Sequence, residues 1–196
     1  MTVLPCTDET LDAVAALLNR GGVAVIPTDT VYGLAAHPAF PAAVERLYTI
    51  KGREAKKPIA LLAADPSAVT AFGAALPSAA ADLARKHWPG ALTLVLPISQ
   101  SSNLSIEQSY EGFRVPDHDW TRRLLAACGG VLRVTSANLS GQRPATDAPQ
   151  ALKDIGLDAD VVVDDGVSPG GIASTVVKVG PDGAFEILRQ GGVAVS

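Results

Sequence analysis

The sequence is poor in aromatic residues, in cysteine and in long apolar runs, and each shortage closes a class of structure. Phe, Trp and Tyr together make up 5% of its 196 residues, so the interior has to be aliphatic and stacking platforms for bases are scarce. Cys6 and Cys128 are the only cysteines; far apart and outside any Cys-x-x-Cys pair, they point to free thiols, not to a disulfide framework or a thiolate zinc site. The longest apolar runs, such as Leu92 to Leu96 and Val161 to Val163, fall far short of the roughly 18 to 20 residues that cross a bilayer. The first eight residues have no basic segment followed by an apolar stretch, so no secretory signal is expected and the cytoplasm is the expected compartment. A basic surplus is also missing. Sixteen Lys and Arg face twenty Asp and Glu, a formal net charge of −4 with a pI near 5.3. That balance argues against a protein that coats nucleic acid by general basicity, so any anion site must be local.

What is present is a globular composition, 47% hydrophobic and 18% charged, in a chain short enough to form one domain over 1–196. Leu11, Val14, Ala15 and Leu18 recur at helical spacing before the stop Gly21-Gly22. The run Gly22 to Pro27 reads as a buried strand feeding the turn Thr28-Asp29-Thr30. Pro41 can open a helix whose Val44, Leu47 and Tyr48 share a face and which ends at Lys51-Gly52-Arg53. Further strands are expected at 59–62, 92–96, 113–115, 131–135 and 161–163, with helices at 67–72, 78–87 and 120–128. Strands at 174–179 and 185–188 flank the turn Gly180-Pro181-Asp182-Gly183 as a hairpin. The alternation predicts an α/β domain with a mixed sheet.

Four segments could carry chemistry. Residues 51 to 57 read Lys-Gly-Arg-Glu-Ala-Lys-Lys, so Lys51, Arg53 and Lys57 could grip a polyphosphate; a solvated basic loop is the bland alternative. Val134 to Gly141 is a strand running into Ser136, Asn138 and Gly141, able to present hydroxyls, an amide and N–H groups to a ligand, or simply to form a cap or Asx turn. The third is Pro27-Thr28-Asp29-Thr30-Val31-Tyr32-Gly33-Leu34. The fourth joins Gly171 to Val177 with Ile187 to Gly191. An isolated arginine such as Arg114 is more often a surface ion-pair member than a carboxylate ligand. His37, His87 and His118 have no ligand spacing, so no protein metal site is expected. There is no Walker or dinucleotide glycine fingerprint.

In this order, the segments resemble the YrdC-like threonylcarbamoyl-AMP synthase family, in its short, TsaC-like form, from about Gly22 to Gly191. The resemblance is borne by Pro27 to Leu34, Lys51-x-Arg53, Trp88-Pro89-Gly90 with Leu92 to Val95, Arg114-Val115-Pro116, Ser136-x-Asn138 and Ser174 to Val177. It implies a single YrdC-like domain with a twisted mixed sheet and a concave basic ligand groove. The implied reaction joins L-threonine, bicarbonate and ATP into threonylcarbamoyl-AMP and pyrophosphate for tRNA threonylcarbamoyladenosine modification. It further implies that Lys51, Arg53, Lys57, Ser136, Asn138 and Arg189 hold ATP, with Lys51 and Arg53 catalytic, and that Thr30, Arg114 and Ser174 hold threonine. Mg2+ is implied on the phosphates, tRNA and the tRNA threonylcarbamoyl transferase machinery as partners, and loops in place of a lid domain. Leu62 stands where some relatives have a histidine, and Tyr110 where a small hydroxyl residue is more usual, which leaves strict threonine specificity open. The alternatives are a non-catalytic tRNA- or rRNA-binding module, disfavoured by the acidic pI and few aromatics, and a paralogue adenylating another acceptor.

Overall fold

A computed structural model describes residues 2–52, 58–98, 109–155 and 158–195. Along the chain run β1 (Thr2–Pro5), α1 (Asp8–Leu18), β2 (Val23–Ile26), β3 (Gly33–Ala36), α2 (Pro41–Lys51), β4 (Leu61–Ala63), α3 (Pro66–Ala71) and α4 (Ser78–His87). Then follow β5 (Leu92–Ile98), β6 (Ser109–Arg114), α5 (Asp119–Ala127), β7 (Val131–Ser136), α6 (Ala148–Asp154), β8 (Val161–Asp164), β9 (Thr175–Val179) and β10 (Phe185–Arg189). The strands form one mixed sheet in the order β1-β8-β2-β3-β7-β4-β6-β5-β9-β10. Among the described residues no helix is long and apolar enough to cross a membrane.

Most expected elements form within a residue or two of their predicted bounds, and their ends have local causes. Pro41 opens α2 with its fixed φ, and Gly52 closes it in the left-handed conformation. Arg85, Lys86 and His87 occupy the last turn of α4, where positive charge suits the carbonyl end of the helix. The hairpin forms as expected, β9 and β10 pairing antiparallel with a register shift between Ile187 and Arg189.

Three elements lie outside the expected pattern. The strand β1 is a mostly exposed four-residue edge paired only to β8. The helix α6 is seven residues long, started by the Asp147 carboxylate accepting from the Gln150 N–H. The sequence of β3, Gly-Leu-Ala-Ala, has little strand preference; its conformation comes from two full ladders, to β2 and to β7. Gly33 has to be glycine there, because a Cβ would stand 2.5 Å from Val134 Cγ1.

Register divides the sheet into two unlike faces. One residue row, Val23, Ala36, Arg133, Leu61, Phe113, Leu94, Val177 and Ile187, crosses from β2 to β10. This is the core face, covered by α2 and α6 at one end and by α3 and α4 at the other. The opposite face holds Leu62 beside Arg114, Gly112 beside Val95, Thr93 beside Val176, and Arg189 beside Val176. Helices α1 and α5 cover that face over β2, β3 and β8, and beyond Leu62 it opens into a groove.

Candidate active site

The groove is a pocket of about 380 Å3 lined by five of the nine residues singled out in the sequence, Thr30, Arg114, Ser136, Ser174 and Arg189. They converge because strand alternation sends one side chain in two to this face and because the turn after β2 and the segment before β9 both end at its rim. No carboxylate belongs to the described lining.

The turn after β2 is held by its own hydroxyl. Thr28 Oγ1 donates to the Val31 carbonyl at 2.6 Å and accepts from the Thr30 and Val31 N–H groups at 3.2 and 3.3 Å. This fixes Thr30 Oγ1, which accepts from Arg114 Nη1 at 2.8 Å. Arg114 also donates from Nε to the Gly90 carbonyl at 2.9 Å and from Nη2 to the Asp29 carboxylate. With 6% of its surface exposed, Arg114 is a buried member of the site, not the surface ion-pair residue that an isolated strand arginine usually is. Burial pulls its guanidinium below the ordinary range; Asp29 opposes that shift, while the positive charge of Arg189 adds to it.

Across the groove, Ser174 Oγ shares a 2.8 Å hydrogen bond with Thr93 Oγ1. Arg189 donates to the Ser174 carbonyl from Nη2 at 2.7 Å and from Nε at 3.2 Å. A continuous chain therefore runs from β5 through Ser174 to the arginine of β10. Most of the rest of the lining is apolar, including Leu62, Val95, Val134, Val176 and Leu188, with Thr135 and Tyr110 also present. The Lys178 ammonium stands 4.3 Å from the centre of the Tyr110 ring, a cation–π distance.

Lys51 and Asn138 form a staple beside the pocket. Lys51 is 3% exposed; its ammonium donates to the Ser136 carbonyl at 2.5 Å, the Asn138 carbonyl at 2.6 Å and Asn138 Oδ1 at 3.3 Å. Asn138 Nδ2 donates to the Leu139 and Gln142 carbonyls, and Ser140 N–H returns to the Lys51 carbonyl at 2.9 Å. The solvated-loop alternative for Lys51 is thus replaced by a buried cation that locks the end of α2 to the strand end presenting Ser136. The Asx-turn alternative for Asn138 gives way to the same staple. Arg53 and Lys57 lie outside the described residues.

Two residues of the site had no assigned role in the sequence. Asp29 sits inside the Thr-Asp-Thr turn, but nothing local links it to an arginine 85 positions later. Thr93 is a hydroxyl in an otherwise aliphatic strand, and that oddity in Leu92-Thr93-Leu94 was the available signal. Among the described residues no group of three His, Cys, Asp or Glu side chains is arranged to hold a metal.

Comparison with known proteins agrees with this fold. The Sua5/YciO/YrdC family model, described as Telomere recombination, matches residues 16–191. The threonylcarbamoyl-AMP synthase of Bacillus subtilis is 34% identical over 193 residues, 97% of this chain; the chain spans 56% of that relative's length. The threonylcarbamoyl-AMP synthase of Halorhodospira halophila is 34% identical over 177 residues, covering 87% of this chain and 90% of the relative. A solved structure of Sua5 from P. abyssi, complexed with L-threonine, superposes with a TM-score of 0.88 at 28% identity, over 97% of this chain and 58% of that one.

Proposed function

This chain belongs to the Sua5/YciO/YrdC family, and from that membership we propose that it is an L-threonylcarbamoyladenylate synthase. The observation that carries the reading is the convergence of Thr30, Arg114, Ser136, Ser174 and Arg189 on one pocket, with a buried guanidinium at one end and a stapled strand terminus at the other.

In this reading the threonine carboxylate meets Arg114. A guanidinium has five N–H donors; three are engaged with Gly90, Thr30 and Asp29, which leaves two for a bidentate carboxylate. The hydroxyls of Thr30 and Ser174 orient the amine and side chain. Ser136, Asn138, Arg189, Arg53 and Lys57 hold the triphosphate, with Lys51 acting through the turn it holds and Arg53 taking part in the chemistry. Threonine's amine adds to bicarbonate with loss of water to give a carbamate. A carbamate oxygen then bonds to the α-phosphorus as the bond from that phosphorus to the β-bridging oxygen breaks, and pyrophosphate leaves with its charge. Two anions must meet, so positioning and cationic stabilisation are the catalysis required, and no protein nucleophile is needed.

The pocket offers hydroxyl and carbonyl oxygens but no carboxylate in its described lining, a donor set that suits Mg2+ carried on the phosphates with most of its water retained. When bound, Mg2+ would supply charge neutralisation on the leaving pyrophosphate. The product is a labile mixed anhydride, and we place its use in tRNA threonylcarbamoyladenosine formation in the cytoplasm, by the tRNA threonylcarbamoyl transferase machinery. The single-domain organisation over 1–196 belongs to the same proposal.

Purified protein given ATP, bicarbonate and Mg2+ tests this. Threonine-dependent pyrophosphate release, with a nucleotide product of threonylcarbamoyl-AMP mass, is the expected result. Release that ignores threonine, or ATP binding with no turnover, refutes it.

A further inference from the structure

The site has to separate two anions that both prefer arginine. The nucleotide brings phosphates, the amino acid a single carboxylate, and a buried unpaired guanidinium would attract the more highly charged of the two. Arg114 is not unpaired. Asp29 binds its Nη2, is 12% exposed, and does not itself line the pocket. Its backbone is pinned as well. The Asp29 carbonyl accepts from the Gly170 N–H at 2.9 Å, and at Gly170 a Cβ would approach that same oxygen to 2.6 Å. The backbone that carries the carboxylate is thereby anchored, and the carboxylate itself is held by Arg114.

We propose that Asp29 is a positioning and specificity-determining residue that aims the two uncommitted N–H groups of Arg114 into the pocket and balances its charge, so that this end admits a carboxylate and refuses a phosphate. The inference rests on the reading of the pocket as an amino-acid and nucleotide site. A monoanionic carboxylate needs two aligned donors and little net charge, which the Arg114–Asp29 pair supplies. A phosphate brought to the same point gains the donors but meets the Asp29 carboxylate across the guanidinium, and like charge in a desolvated place is repulsive. The phosphates are therefore left to the other polar groups of the lining, Ser136 and Arg189. Asp29 reacts with nothing; it acts through Arg114.

Equilibrium binding of L-threonine and of inorganic pyrophosphate, measured separately on the wild type, Asp29→Asn, Asp29→Glu and the Asp29→Asn/Arg114→Ala double variant, tests this. Asp29→Asn keeps the shape and one oxygen acceptor while removing the charge. It is expected to weaken threonine binding about tenfold or more, the loss of one charge-assisted contact, and to bind pyrophosphate several-fold tighter, a gain that disappears in the double variant. Asp29→Glu, which keeps the charge but moves it, is expected to weaken threonine without the pyrophosphate gain. Unchanged threonine affinity in Asp29→Asn, or a threonine loss with no gain in pyrophosphate, overturns the proposal. Should the wild type bind no threonine while Asp29→Asn still gains pyrophosphate through Arg114, the synthase reading fails and the role of Asp29 stands.

Discussion

The two faces of the sheet are built from alternate residues of the same strands, yet they do opposite things. On β6, Phe113 is fully buried among leucines of the core face, while its neighbour Arg114 points into the groove and meets Thr30, Asp29 and Gly90. On β5, Leu94 packs inward and Thr93 holds Ser174. A one-residue slip in register would exchange core and site completely, so the ladders that fix the register also specify the chemistry. Over β5 and β6 the apolar packing lies on one face, and the polar groups of the other can be spent on a ligand because the packed face holds these strands still.

The largest expected effect belongs to the core face. Phe113→Ala should lower unfolding free energy by about 3–5 kcal/mol, the cost of an aromatic-sized cavity, read from denaturant midpoints; a loss below 1 kcal/mol would break the division between faces. Next is the staple. Lys51→Ala deprives the Ser136 and Asn138 carbonyls of a charged donor and should cost about 2–3 kcal/mol, with ATP affinity falling alongside melting temperature. If ATP affinity fell with stability untouched, Lys51 would be a direct phosphate ligand only.

The smallest effect lies at the periphery. Arg46 and Asp160 form a half-exposed pair, and hydrogen bonding from Arg46 holds the Asp160 carboxyl below the usual aspartate range. That contribution is present above the unfolded aspartate value of about 3.9 and is lost as pH falls through the depressed native value. Arg46→Ala should cost under about 1 kcal/mol at neutral pH, and less still once acid has protonated Asp160.

Local pattern is legible in sequence where the cause is local. Pro41 and Gly52 bound α2, and Ser78 to His87 is a helix both in the reading and in the structure. Strand β3 was hidden because Gly33 to Ala36 become a strand through pairing with β2 and β7, which no window along the chain contains. The site divides in the same way. Thr30, Arg114, Ser136, Ser174 and Arg189 stood out by motif and do converge. The partnership of Asp29 with Arg114 and that of Thr93 with Ser174 span 85 and 81 positions, and only the fold brings them together. Burial was the other invisible quantity: a lysine in a basic run and an arginine on a strand both look solvated until their neighbours are known.

Steady-state pyrophosphate release by wild type and Arg114→Ala, with threonine varied at saturating ATP and then ATP varied at saturating threonine, bears most directly on the division of this groove. The threonine KM should rise on the order of a hundredfold, the loss of a bidentate charge-assisted contact, while the ATP KM stays within about twofold. A rise in the ATP requirement alone, or a parallel rise in both, would show that the amino-acid end of the site had been placed at the wrong arginine.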